Sequence, residues 1–306
     1  MNKPVPIALF TYTRPQHLFR TLEGLKHNQI PLIYAFSDGP KNPENAAKVA
    51  EVRQVLRNID WCEVRLVERD HNLGLGNSIR SGVSQVLEDF DRLIVVEDDI
   101  VLRPGAYKYT ATALEMYAND TQVMTISMWS HPTLVPRSAP DGFFSRRFVC
   151  WGWATYREAW QKYQGMPLEV YRKCEACGLD VARWGTDFKW QAEHAAEKNL
   201  WYIGYALTHF LEGKVSYFPP ETLTVNIGFD GSGENTGAGR HGEQLELIGR
   251  PVRLPQRWPS VGVQAGMDEK FSKYFGLKRR SPWVKARNYI GKLRRKILHY
   301  SVYSLN

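Results

Sequence analysis

Apolar positions in the first hundred residues alternate between two rhythms. Apolar runs at Val5–Tyr12, Leu32–Ser37, Val64–Glu68 and Leu93–Glu97 read as strands. Between them, Pro15–His27, Glu44–Asn58 and Leu75–Phe90 carry helical patterns, the first opened by a proline at its start. Such alternation predicts an α/β fold built on a parallel sheet. Ligands of open sheets of this kind sit outside the carboxyl ends of the strands. Arg14, Asp38 and the cluster Glu97, Asp98 and Asp99 each follow a predicted strand, so they are expected to meet in one crevice.

Beyond Gly105 the pattern becomes mixed. A helix is expected to about Tyr117, a strand over Val123–Met128, and then a loop rich in Pro and Ser. Phe148–Trp153 is aromatic and contains glycine, and helices are expected at Arg157–Tyr163 and Asp187–Lys198. The stretch 226–242 holds six glycines, a composition that suits either a mobile lid or a plain surface loop. No internal repeat is evident.

Three adjacent carboxylates at a strand end repel one another, and a cation is their natural partner. Hard divalent ions such as Mg2+ or Mn2+ take oxygen ligands and share the rest of their shell with water and substrate phosphates. The segment LIVVEDDIVLRPGAY therefore suggests a metal that holds a diphosphate, the plain alternative being a solvated acidic turn.

The 306 residues, 43% of them hydrophobic, can bury a large core. No segment approaches the roughly 18 to 20 apolar residues of a membrane span, and the N-terminus carries no cleavage-site pattern. Four cysteines do not make a disulfide framework, which agrees with a reducing, cytoplasmic setting. Cys174 and Cys177 form a C-x-x-C without a second pair at zinc spacing, so they read as ordinary helix residues. Charge is unevenly spread: residues 270–306 hold eleven Lys or Arg and no acid, which leaves a net −3 on the rest of a +8 chain. In that tail Ala286, Ile290, Leu293, Ile297 and Tyr300 form a helical stripe flanked by Lys292, Arg294, Arg295 and Lys296. A basic amphipathic helix of this kind suits the anionic inner face of a membrane, ahead of nucleic acid or a helix merely packed on the body.

Taken in order, the motifs TYTRP, FSDGP, NLGLGNSIRSG, VVEDD, TISMW, CWGWATYREAW and WGTDFKWQ, with the late Gly-Ser loop, resemble a GT-A fold glycosyltransferase. The likeness spans about residues 5–240. It is closest to the inverting N-acetylglucosaminyltransferase I type and to bacterial polysaccharide glycosyltransferases. The resemblance implies a Rossmann-like mixed sheet flanked by helices, over a catalytic domain 1–268. It divides that domain into a nucleotide-binding half, 1–105, and an acceptor half, 106–268, with 226–242 as lid and 269–306 as the basic tail.

The resemblance also implies roles. Asp99 would meet Mn2+ or Mg2+ with Glu97 in support, Asp98 a ribose hydroxyl, Asp38 the N–H of a uracil, and Arg14 the phosphates. His71 would lie near the nucleotide, Trp153 in a donor-sugar wall with Trp151 and Gly152, and Ser232 in the lid. Asp187 would be the base that takes the acceptor hydroxyl's proton. Each has a duller reading: Arg14 as a cap beside Pro15, Asp38 as a turn residue, His71 as a loop histidine, Trp153 as core, Asp187 as a first-turn helix acid. WGTDFKW has one acid where the family more often has two. The implied function is transfer of a sugar, foremost GlcNAc from UDP-GlcNAc, onto a lipid-linked or growing surface-polysaccharide acceptor. The rivals are a sugar-nucleotide nucleotidyltransferase, which generally has a glycine-rich loop where TYTRP has none, and a non-catalytic saccharide- or membrane-binding protein.

Overall fold

Burial on alternate sides of each early strand dictates a three-layer arrangement. In the computed structural model, which describes residues 3–230 and 240–276, β1 (Ile7–Thr11), β2 (Leu32–Ser37), β3 (Glu63–Glu68) and β4 (Arg92–Glu97) pair in parallel in the order β3-β2-β1-β4. Ile7, Leu9, Ile33, Ala35, Ile94 and Val96 face one layer, under α1 (Pro15–His27) and α2 (Pro43–Arg57). Ala8, Phe10, Tyr34, Phe36, Leu93 and Val95 face the other, where α3 (Leu75–Asp89) packs. These seven elements lie within one or two residues of the sequence expectation, because apolar runs or stripes and the turn residues between them mark their ends.

The second half extends the same sheet with strands of mixed direction. After β5 (Ile100–Leu102) and α4 (Ala106–Met116) come β6 (Val123–Ser127), β7 (Phe143–Ser145) and β8 (Trp153–Tyr156). They are followed by the one-turn α5 (Arg157–Trp160), α6 (Pro167–Ala176), α7 (Asp187–Glu193), α8 (Tyr202–Leu211), β9 (Val215–Phe218), β10 (Thr224–Asn226) and α9 (Met267–Phe275). The sheet runs β3-β2-β1-β4-β8-β6-β9-β7, and β10 pairs separately with β5. It is a mixed α/β sheet flanked by helices, as expected.

Several elements depart from the sequence reading. The helix expected at 157–163 is a single turn, and the one expected at 187–198 ends at Glu193. α8 is buried over eight consecutive residues, Ile203–Phe210, and had no counterpart in the sequence reading. Cys174 is buried on α6, Cys177 is its exposed C-terminal cap, and all four cysteines are free. α9 buries Met267 and Phe271 in the main core. Among the described residues no helix is long and apolar enough to cross a membrane. The basic helical stripe at 286–300 lies outside them, as does Ser232.

His209 on α8 is fully buried, with Nδ1 against the Tyr205 carbonyl at 2.8 Å and Nε2 against Thr125 Oγ1 at 3.1 Å. Burial pushes its pKa down to about 4. The unfolded chain therefore takes up this proton at a pH where the native state does not, and stability falls as pH drops from about 6.5 toward 4. The expected loss is about 3 kcal/mol, since each tenfold change in proton affinity between the two states is worth about 1.4 kcal/mol. Urea midpoints of wild type and His209→Gln, measured between pH 7 and pH 4.5, should diverge with the wild type falling faster; parallel curves would refute the assignment.

Candidate active site

The order of strand connections makes one edge of the sheet special. The chain builds outward from β1 through β2 to β3, then crosses back to β4 on the other side of β1, so strand order reverses between β1 and β4. Crevices at such a reversal, outside the carboxyl ends, are where open sheets bind ligands. Arg14 leaves β1 there, and Glu97, Asp98 and Asp99 leave β4.

Arg14 precedes α1, and Pro15 occupies the first helical position, where no N–H is needed. Its Nη2 bonds Asp98 Oδ1 and lies 2.9 Å from Asp99 Oδ2, so one guanidinium bridges both carboxylates. Asp98 also accepts from the Tyr12 backbone N–H at 3.4 Å, and its carbonyl accepts from the buried Thr21 hydroxyl at 2.8 Å. Burial, then the neighbouring Asp99 and Asp98, pushes Glu97 well above the ordinary carboxylate range, while Arg14 opposes the rise. Asp98 is raised too, by burial and by Asp99, again against Arg14. Three acids thus share one guanidinium, a surplus of negative charge that favours cations.

The chain returns over this turn through β10. The Ile227 N–H donates to the Asp99 carbonyl at 2.9 Å, and Gly228 lies so close that a Cβ there would stand 2.2 Å from Asp99 Oδ2. Glycine at 228 leaves that carboxylate uncovered by any side chain from its own position. Two residues on, Asp230 pairs with His17 of α1 at 3.1 Å.

Among the described residues no group of three or more His, Cys, Asp or Glu is arranged to hold a metal. The donors still suit the sparse coordination of Mg2+ or Mn2+, which need only one or two carboxylates beside water and phosphate oxygens. Asp99, with excess acid around it and a glycine across from it, meets that requirement.

Asp38 follows β2 on the same edge. Its carboxylate accepts from the backbone N–H groups of Gly39 at 3.0 Å, Leu73 at 2.9 Å and Gly74 at 3.1 Å. It therefore clamps the NLG turn to the β2 turn and keeps about one of its four acceptor positions. A Cβ at Gly39 would lie 2.4 Å from the His71 backbone, so glycine permits this contact. The His71 side chain is exposed beside it.

Trp153 is corrected to a core residue. It is 1% exposed and packs on Phe148, Trp160, Trp201 and Tyr205, which leaves no face for a sugar. The half-buried Trp151, two residues earlier and outside the strand, lies at the edge instead.

Asp187 is buried at the start of α7. Arg147 grips it with two bonds, at 3.0 Å and 2.5 Å, and Gln191 donates to it at 2.8 Å. The guanidinium also donates to the Trp184 carbonyl at 3.0 Å and sits over the rings of Phe188 and Phe275 at 4.2 and 4.0 Å. From Gln191 the polar chain continues to the Tyr202 hydroxyl, whose pKa is raised by burial and then by Cys150. The Cys150 thiol is itself raised by burial and by Glu97 and Asp99. Sequence reading missed Arg147; its signal was a charge inside the apolar run FFSRRFVCWGW, where a buried cation requires a partner.

No protein family's profile matches the chain, and no curated protein does. Solved structures that resemble it include a mannosyltransferase, PcManGT from Pyrobaculum calidifontis, in complex with GDP-Man and Mn2+. The identity is 15% over 55% of this chain and 48% of that one, with a TM-score of 0.40. S. aureus TarS resembles it at 13% identity over 41% of this chain and 22% of that one, TM-score 0.32. TarS 1–349 does so at 12% over 51% and 47%, TM-score 0.37. In each case the likeness spans less than half of the other chain.

Proposed function

We propose that this chain is a metal-dependent inverting glycosyltransferase. It takes a sugar from a nucleotide diphosphate donor, foremost GlcNAc from UDP-GlcNAc, and passes it to a lipid-linked or growing surface saccharide. One observation carries the reading: Arg14, Asp98 and Asp99 converge where strand order reverses between β1 and β4. A guanidinium held between carboxylates at such a crevice can turn to phosphate oxygens once a cation takes its place. Bound at Asp99 with Glu97, Mn2+ or Mg2+ would supply charge to neutralise the departing diphosphate.

In this reading Asp98 receives a ribose hydroxyl, and Asp38 gives its remaining acceptor position to the base. His71 lies at the rim beside them. Asp187 is the proposed general base on the strength of the sequence motif, and its pairing opposes the role. Arg147 and Gln191 already occupy its oxygens. Acting as base would require Arg147 to release it. Ser232 and the glycine-rich stretch 226–242 are proposed to close over the donor and exclude water.

Calorimetric titration of UDP-GlcNAc and UDP with and without Mn2+ tests the core of the proposal. Binding is expected to require the ion and to vanish in EDTA. Equal affinity in EDTA would remove the metal, and absence of binding by any nucleotide sugar would remove the function.

The basic tail is proposed to hold the protein on the inner face of a membrane, each nearby Lys or Arg contributing about 1 kcal/mol on anionic lipid. Deleting 278–306 should abolish sedimentation with phosphatidylserine vesicles. Equal sedimentation of the truncated chain would end the membrane assignment.

A further inference from the structure

The second half of the sheet delivers a second set of residues to the same edge. β8 runs against β4, so the segment entering β8 lies at the carboxyl end of β4, and β6 runs against β8, so the segment leaving β6 lies there too. Trp151 enters β8 and Trp129 leaves β6. Asp38, Arg14, the acid cluster, Trp151 and Trp129 are therefore ranked along one edge spanning five strands, about 19 Å at about 4.8 Å per strand.

Rings continue that line outward. Phe229 follows Gly228, which lies against Asp99, and meets Trp151 edge-on with centroids 5.5 Å apart. Trp151 meets the buried Trp129 edge-on at 4.9 Å, Trp129 meets His131 at 6.4 Å, and His131 meets Tyr274 of α9 at 4.8 Å. Phe229, Trp151, His131 and Tyr274 are half-buried, while Trp129 beneath them is 3% exposed. Between Trp129 and His131 in the chain, Ser130 is 1% exposed and, among the described residues, its hydroxyl has no hydrogen-bond partner. A buried hydroxyl without a partner costs free energy, and the rings on either side of it in the chain suit a ligand that brings both apolar faces and hydroxyl groups.

We infer that this ledge is the acceptor subsite, and that its occupant is a pyranose ring of a saccharide. Its role as acceptor site rests on the transferase reading. A pyranose combines an apolar C–H face, which packs on aromatic rings, with a rim of hydroxyl groups that suit the polar side chains of the same sheet edge. The position gives the direction of binding. Nucleotide groups would occupy the β2 to β4 end, the transferred sugar would lie over Asp99 beside Trp151 and Phe229, and the acceptor ring would rest on His131 and Tyr274.

Saturation-transfer NMR on the full chain, with cellobiose, N,N′-diacetylchitobiose and α-1,2-mannobiose as probes, tests this directly. At least one disaccharide should give signals on its ring C–H protons. Those signals should fall at least fivefold in His131→Ala and Tyr274→Ala, persist in Tyr274→Phe, and leave calorimetric UDP and Mn2+ binding unchanged. No signal from any disaccharide, or signals retained by both alanine variants, would overturn the ledge. Loss of UDP binding in the alanine variants, with melting temperature unchanged, would overturn it too, by making these residues part of the donor site. Saccharide binding by a wild type that does not bind UDP would support the ledge while removing the transferase reading.

Discussion

Asp187→Asn is expected to lower folding stability by about 3–5 kcal/mol, because it leaves the Arg147 guanidinium buried without its counter-charge. The side chains of Arg147 and Asp187 are 2% and 4% exposed, so water cannot replace the lost partner. At about 2–4 °C per kcal/mol for a chain of 150–250 residues, the melting temperature should drop by about 10 °C. Arg147→Met should do comparable damage from the other side. The pair Arg147→Met with Asp187→Leu should recover much of it, since a buried ion pair replaced by apolar residues of similar volume is often neutral. Stability and activity together separate the two roles of Asp187. An asparagine variant that melts like the wild type, binds donor and fails to transfer would establish the base. One that melts early would establish the carboxylate as the anchor of α7 and of the α9 contact through Phe275.

Arg14→Ala is expected to reduce sugar transfer by about 100-fold or more, the scale of removing one preorganised donor from developing charge. The same change removes the guanidinium that opposes the rise of Glu97 and Asp98, so both carboxyls should climb further above their ordinary range. It should also make the turn depend on an added cation. Mn2+ at millimolar concentration should raise the melting temperature of Arg14→Ala more than that of the wild type, because ligand binding to the native state alone adds stability by mass action. Differential scanning fluorimetry with and without the ion measures this. Transfer at wild-type rate, or identical Mn2+ shifts in the two proteins, would show that Arg14 and the acids do not form one charged unit.

The parallel half was legible because its physics is local. β1 to β4 and α1 to α3 each carry their own period, and the residues after each strand can be assigned to an edge without knowing any contact. Arg14, Asp38 and the acid cluster were found that way. The NLG turn was visible as a motif, but not that Asp38 would use three acceptor positions to hold it.

Other residues had no local signal. Trp151 and Trp153 are two positions apart and look equivalent in CWGWA, yet one lies at the edge and the other beneath the core rings. α8 is covered over eight consecutive residues by elements distant in the chain, and β7, β9 and β10 are three or four residues long.

What the amino-acid order determined by itself is the alternating layer, the strand ends and the acids placed at them, since backbone period and side-chain polarity act within a few residues. What tertiary structure decided is which charges meet. Arg147 and Asp187 are 40 residues apart, Arg14 and Asp98 are 84 apart, and Gly228 returns to Asp99 from the far end of the body. Electrostatic pairing depends on distance through space and on exclusion of water, and both are set only when the sheet has closed its second half over the first.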